Sequence, residues 1–464
     1  MAYNITGTNG NDNLDQSADT GPGSIFGLAG NDTIHTGTGA VTVDGGSGED
    51  TIILKAGNTG QVDAGSENDS ISDQGQNIGS MLLFGNSGAD TIDVNNSTNA
   101  QTVMGGVDST DGSDLIMTGG GADLLFGNGG ADSLYGGLGN DTYVGGFGDD
   151  RIVDPTAGGS DLVLGNEGND YINVWGGNDT VVAGKGDDSV IVSGADHPLY
   201  LLSEGNDTIN AETATGAMTI MGGNDSSDGN DSIRSGAGDD LIFGNGGNDT
   251  IRDAGGNNTM VAGAGNDSIQ CTTAGTDVIL GNEGDDTIGS ASGQDTVVGG
   301  QGNDQITGGA DGGQLLIGSE GNDTLLGLLG IDTLTGGSGA DVFRYLTGAG
   351  EDGDNANAGG PVERITDVNF DEDRFQVMQT VGYAANIGAV NSGNLEASAE
   401  SAIQAVLALG GGGAQHVAAQ FTFNGREYLA IDQGGLNTLF TDAFDLLVDI
   451  TGSTGTIGAN DFFV

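Results

Sequence analysis

The stretch Gly136-Gly-Leu-Gly-Asn-Asp-Thr-Tyr-Val144 is followed without a break by Gly145-Gly-Phe-Gly-Asp-Asp-Arg-Ile-Val153. The same nine-residue pattern is written twice. Its glycines admit positive φ and close backbone approach, which specifies a tight turn. The turn aims backbone carbonyls inward, and the aspartate that closes it (Asp141, Asp150) adds a carboxylate. Hard oxygens gathered in this way suit Ca2+, which takes six to eight of them in a tolerant geometry. The three residues after each aspartate make one short strand, with its middle side chain (Tyr143, Ile152) inward.

Aligned on the aspartate, the pattern runs far beyond this stretch. Asp114, Asp123, Asp132, Asp141 and Asp150 are nine apart; Asp161 comes eleven later, and Asp170, Asp179 and Asp188 resume the step of nine. Asp207 follows, then Asp231, Asp240, Asp249, Asn258 in the same slot, Asp267, Asp277, Asp286, Asp295, Asp304, Asp323, Asp332 and Asp341. Two residues after each stands an apolar one, from Leu125 and Leu134 to Leu334 and Phe343. A longer period overlies the short one. Asp114, Asp123 and Asp132 map onto Asp231, Asp240 and Asp249 at an offset of 117, and the spacer Asp108-Ser-Thr-Asp-Gly-Ser-Asp114 onto Asp225-Ser-Ser-Asp-Gly-Asn-Asp231. The middle of the chain therefore reads as a block of about thirteen nonapeptides present twice.

Two turns and two strands make a coil of 18 residues. No single coil buries its apolar residues; stacking does. Pairing between coils, about 4.8 Å apart, builds a parallel sheet on each side. The expectation is an all-β, right-handed parallel β-roll with a small C-terminal α+β domain, of roughly nineteen coils and about 90 Å at that spacing. The candidate metal ligands are the aspartates named above from Asp114 to Asp341, with Asp32, Asp50, Asp69 and Asp90 before them. Turn residues Gly127, Asn128, Gly136, Gly139, Asn140, Gly145, Gly148 and Asn245 join them.

These residues resemble the repeats-in-toxin (RTX) nonapeptide, Gly-Gly-x-Gly-x-Asp-x-U-x. Full matches stand at 136–144 and 145–153, close ones at 299–307 and 336–344, and the resemblance covers roughly residues 5–345. It implies a calcium-binding β-roll in which each ion lies between the turns of successive coils. The pattern lapses in places. Asp12, Asp32, Asp50, Asp69 and Asp90 are 18 to 21 apart, so coils before Asp90 are expected to be calcium-lined on one side only. "SGADHPLYLL" (193–202) interrupts the run between Asp188 and Asp207, and another gap lies between Asp304 and Asp323. Asn258 offers an oxygen without charge.

Composition sets outer bounds. The chain has 464 residues, 67 acidic and 9 basic, for a formal charge of −58, which repels itself unless neutralised. So acidic a surface excludes nucleic acid as a partner. With 93 glycines disorder is the rival reading, but apolar residues make up 35% and fall at regular places. Cys271 stands alone and reads as a small buried filler. No apolar run reaches membrane-spanning length, and the first residues lack the pattern of a cleavable signal. His35, His197 and His416 form no HExxH, no Gly-x-Ser-x-Gly elbow occurs, and no carboxylate pair stands apart from the turns. An enzyme is not expected. Phe84, Phe126, Phe243, Met104 and Met221 recur at equivalent positions and read as packing, and Trp175 as a surface contact.

From about Pro361 the glycines thin out. Residues 362–377 read as strand, 395–409 as helix, and 420–433 as a hairpin around Asn424-Gly425. Glu363, Asp371, Asp373 and Asp432 read as surface charges. The terminal Asn460-Asp-Phe-Phe-Val464 resembles the C-terminal signal of type I secretion substrates, and the tail as a whole the bluetail domain of RTX-like proteins. The expected organisation is 1–90, degenerate β-roll; 91–345, regular β-roll with the duplicated block; 346–361, linker; 362–464, capping and secretion domain. The resemblance implies an extracellular protein, exported by type I machinery and folded by on the order of twenty Ca2+ ions. Its expected role is structural, self-assembling in a surface layer or fibril. The alternative is an adhesin or polysaccharide-binding module, and after it a non-catalytic part of a secreted enzyme or toxin.

Overall fold

A computed structural model of the chain describes residues 3–155, 158–194, 199–226, 228–309, 313–345, 362–377, 383–390, 395–409, 416–432 and 446–463. The expected linker, 346–361, and His197 lie outside these. The chain is an all-β parallel solenoid of about seventeen turns, and divides into two units, Met1–Gly238 and Asp239–Val464.

In the first unit every coil contributes one strand to each of two parallel sheets. One sheet holds long strands such as Ala40–Ser47, Leu124–Gly129 and Thr142–Phe147; the other holds short ones such as Thr51–Ile53, Leu115–Met117 and Ser133–Tyr135. The inward residues stack in register. Val103 pairs with Leu125, Leu125 with Tyr143 and Tyr143 with Val163 on the long side; Ile92, Ile116 and Leu134 do so on the short side. Each of these is at most 1% exposed, so the core is two columns of aliphatic and tyrosyl side chains.

Equal three-residue strands were expected on both sides. The long strands instead run on through the glycines, because Asn128 pairs with Gly146 and Gly129 with Phe147 beyond the inward residue. Coil lengths also differ. Asp114 to Asp231 spans six coils, through Asp132, Asp150, Asp170, Asp188 and Asp207, not thirteen half-coils. Two coils in this unit are stretched to 24 residues, which also brings the turn number below nineteen. The extra residues loop outward. Val107 is 58% exposed, while Asp111 folds back to accept the Gly88 and Val107 N–H groups. In the second copy Asp228 does the same for Gly205 and Asn224.

The second unit repeats the two sheets from Leu241–Gly246 and Thr250–Asp253 to Thr333–Ser338 and Val342–Tyr345. The tail then adds to both. Arg364–Ile365 pairs with the strand Thr333–Ser338, and Arg374–Val377 with Val342–Tyr345. The terminal Phe462–Phe463 pairs in parallel with Arg374–Val377. Phe343, Phe375 and Phe462 continue the core column as a run of rings with centroids 5.7 Å apart. Helix Leu395–Leu409 lays Ala399, Ala402, Ile403 and Val406 on a sheet containing the hairpin Val417–Phe423 and Arg426–Asp432. Positive φ at Asn424 (52°) and Gly425 (80°) makes its turn, as the Asn-Gly pair indicates. Three of the residues read as surface charges are buried: Glu363, Asp373 and Asp432 are at most 8% exposed, since each lies on or directly before a strand that joins the sheets.

Candidate metal centre

The aspartates form columns of turns, one leaving the long strands and one returning to them. In the first column of unit one, each aspartate's N–H donates to Oδ1 of the aspartate one coil ahead. The chain of bonds runs Asp12, Asp32, Asp50, Asp69, Asp90, Asp114, Asp132, Asp150, Asp170, Asp188, Asp207, Asp231 at 2.7–2.8 Å. The second column of that unit holds Gln101, Asp123, Asp141, Asp161 and Asp179. In unit two the first column is Asp249, Asp267, Asp286, Asp304, Asp323, Asp341 and then Asp373. Its second column is Asp240, Asn258, Asp277 and Asp295, with Gln314 donating to Asp332. Every candidate aspartate thus falls in a column, and all are at most 4% exposed.

In the first columns, Oδ2 of Asp32, Asp50, Asp69, Asp90, Asp114, Asp132, Asp150, Asp170, Asp188 and Asp207, and of Asp267, Asp286, Asp304 and Asp323, is buried and accepts no hydrogen bond. An anion so placed is costly. Burial above all, then carboxylates in adjacent coils, pushes Asp69, Asp114, Asp150 and Asp188 up to about 8. The same causes take Asp141, Asp286 and Asp323 up to about 7.

The space beside Oδ2 is shaped by glycine. A Cβ on Gly127 would strike Asp132 Oδ2 and lie 2.6 Å from the carbonyl oxygen of Gly145, one coil ahead. Gly145 stands likewise between Asp150 Oδ2 and Gly165 O, and Gly318 between Asp323 Oδ2 and Gly336 O. A partnerless carboxylate oxygen and a carbonyl from the next coil thus converge where a side chain would otherwise sit. This donor set, all oxygen, buried and short of positive charge, fits Ca2+.

The other candidates are placed as follows. Gly136 donates its N–H to the buried Tyr143 hydroxyl (3.1 Å) and lies beside Asp141 Oδ2. Gly139 and Gly148 have φ of 147° and 111°, and a Cβ on either would strike a carbonyl oxygen of the preceding coil. Asn128 and Asn245 share φ of 76°, and Asn128 Nδ2 donates to Gly106 O (2.7 Å). Asn140 is exposed, and its Oδ1 accepts the Ser160 N–H (3.0 Å). It belongs to an outer ladder the sequence reading did not anticipate. The residue before the aspartate accepts from the coil ahead, as Asn31 does from Glu49, Asn169 from Asp187 and Asn303 from Asn322.

Two column members lay outside the candidate set, and both have Oδ2 taken, Asp12 by the Thr8 N–H and Asp373 by the Asn369 N–H. Asp12 opens the first column and Asp373 closes it in unit two. Asp373 lies 32 residues after Asp341, out of phase and without the glycines, yet Asp373-Arg-Phe-Gln376 keeps the aspartate-x-apolar-x half of the repeat. Cys271 is buried as expected, but its ligand atom lies within 4.8 Å of those of Asp253 and Asp277. Burial and these carboxylates push its thiol far up, so it stays protonated and bonds to the Asp277 carboxylate.

The family model of the RTX calcium-binding nonapeptide repeat matches residues 26–59, 108–152, 156–190, 225–270, 272–312 and 317–355, over half of the chain. No curated protein matches the sequence.

Proposed function

The chain belongs to the RTX calcium-binding nonapeptide repeat family, and from that premise we propose that it is a secreted structural protein whose aspartate columns are filled by calcium after export. The observation that carries this reading is the run of buried, partnerless Oδ2 atoms, several of which, as at Asp132, Asp150 and Asp323, face a carbonyl of the next coil. Asp32 to Asp231 and Asp249 to Asp341 would hold the ions, with turn carbonyls such as those of Gly145 and Gly165. Bound calcium supplies the positive charge that lets neighbouring carboxylates stay ionised while buried. The protein's own part is to hold Oδ1 by the ladder, aim Oδ2 and the carbonyls, and keep side chains out by means of glycine.

At extracellular dissociation constants of about 10⁻⁴ to 10⁻³ M, such sites stay empty at sub-micromolar calcium and fill at millimolar calcium. On the order of twenty ions would cancel some forty of the 58 net negative charges. The proposed organisation remains a one-sided region 1–90, a regular region 91–345, a linker 346–361 and a tail 362–464 that caps the solenoid and carries the export signal. Support for the cap is the seat of Phe462 on Phe375 at the end of the core column. No described helix is long and apolar enough to cross a membrane. A non-catalytic role at the cell surface, in an assembled layer or fibril, accords with a chain that is nearly all repeat.

The second reading, a glycan-binding module, draws on one surface feature. The Arg151 guanidinium lies 5.4 Å from the ring centroids of both Tyr135 and Tyr171 on adjacent coils, which makes an aromatic and cationic patch.

The test is a calcium titration from chelator to 10 mM, with magnesium as control, followed by circular dichroism, sedimentation velocity and a count of bound calcium per chain. A cooperative, calcium-specific gain of β-structure is expected. Large assemblies support the structural role; a monomer that binds glycans supports the module. A chain equally folded in chelator, with no calcium bound, overturns the proposal.

A further inference from the structure

We propose that Gln101, Asn258 and Gln314 are built-in replacements for calcium, so that their turns take no ion. The inference rests on the reading that the aspartate turns do take one. All three amides stand in the aspartate slot of a second column, and each is at most 2% exposed. Each keeps its onward backbone bond, Gln101 to Asp123, Asn258 to Asp277 and Gln314 to Asp332. Asn258 Oδ1 also receives the ladder bond from behind, from the Asp240 N–H, while Gln101 Oε1 accepts the N–H of Met81, the first residue of the long strand one coil back.

The difference lies at the second polar atom. Where an aspartate has an oxygen, the amide has an NH2 group, and it donates into the turn. Gln101 Nε2 gives hydrogen bonds to Asn99 O (2.7 Å), Ser97 Oγ (2.9 Å) and Gly79 O (3.0 Å). Asn258 Nδ2 donates to Gly255 O (3.4 Å), and Gln314 Nε2 to Ala291 O (3.1 Å). Gln314 Oε1 in turn accepts the Gly309 N–H (2.9 Å), so unlike Asp323 Oδ2 it is not left without a partner. The carbonyls of Asn99, Gly79, Gly255 and Ala291 are thus satisfied by the positive end of an amide dipole on the chain itself. The amide itself adds no charge and needs no counter-ion, so the turns of Gln101 and Asn258 close at any calcium concentration.

Restoring the carboxylate reverses this. In Gln314→Glu or Asn258→Asp an oxygen replaces the NH2 group at nearly unchanged shape and meets the carbonyl it formerly bonded. A bound cation satisfies both while the carboxylate stays ionised. The experiment counts calcium per chain in the full-length protein by equilibrium dialysis, for the wild type, Asn258→Asp, Gln101→Glu and Gln314→Glu. Gln61→Glu, at an exposed strand position, is the control for added charge. Each amide variant is expected to bind one more ion than the wild type, and Gln61→Glu the same number. Each should be less folded than the wild type in chelator and equal to it in saturating calcium. A wild type that binds no calcium sinks the reading of the aspartate turns. A wild type that binds calcium, with variants that bind no more or fail to fold in saturating calcium, overturns the assignment of the amides alone.

Discussion

Asp132→Asn should change the sign of its effect with calcium. Asp132 is 1% exposed; its Oδ1 accepts the Asp114 N–H at 2.7 Å, while Oδ2 has no partner. The variant keeps the first contact, because Asn258 holds the same bond from Asp240 at 2.7 Å in the native chain. What it removes is a buried charge and an ion ligand. Without calcium, the native carboxylate carries the cost of a buried polar atom left unpaired, about 1–3 kcal/mol, and the amide relieves part of it. With calcium at ten to a hundred times the dissociation constant, a filled site adds about 1.4 to 2.7 kcal/mol, and the variant forgoes it. Stability against log calcium should therefore rise less steeply in the variant, by about 1.4 kcal/mol per decade, and the two lines should cross. Urea unfolding at a series of calcium concentrations from chelator to 10 mM measures both lines. Parallel lines would refute the reasoning, since the carboxylate would then act through its hydrogen bond alone.

Gly127→Ala would drive a Cβ against Asp132 Oδ2 and to 2.6 Å from Gly145 O, so it should cost about 1–3 kcal/mol and one bound ion; Gly289→Ala, whose Cβ meets nothing within 4 Å, should retain the wild-type calcium count and serves as the control. The calcium-free chain should gain β-structure as pH falls from 8 to 5. Asp69, Asp114, Asp150 and Asp188 have pKa values raised from 3.8 to about 8 in the fold, so the folded state binds protons that the unfolded chain releases, and stability drains away as pH rises through that window. Circular dichroism in chelator across the range checks this, and a flat profile contradicts it. Phe375→Ala, which removes a ring in contact with Phe343, Phe370 and Phe462, should lower the stability of unit two by about 3–5 kcal/mol in urea unfolding.

Much of the fold was legible because the repeat encodes it locally. Asp132, Leu134 and the glycine of the next turn carry the same instruction in every coil, and stacking needs only that it recur. The aspartate slot was legible for the same reason, and so were the hairpin at Asn424-Gly425 and the helix 395–409. What periodicity hides is whatever departs from it. Asp373 reaches its column through a chain detour of 32 residues that no spacing rule anticipates. Glu363 looks like a surface charge until Arg364–Ile365 pairs with the strand Thr333–Ser338; its Oε1 then accepts the Tyr345 hydroxyl. The long strands escaped notice because glycines signal turns in sequence, whereas here their backbones also pair from coil to coil. The outer ladder escaped because Asn and Asp before the ligand look like generic turn residues, as at Asn140 and Asn169.

The assignment of the columns to opposite turns sets a rule for how such a chain can lengthen. The six coils from Asp114 to Asp231 return each aspartate to the side it started from, so a copied block of that kind joins on without transposing its neighbours. A gain or loss of one nonapeptide would not. It would carry every later long strand to the short side, set Gln314 among the uninterrupted aspartates, and misalign both ladders at the junction. Descent by whole coils is thus the silent edit for this architecture, and a half-coil step is its frameshift.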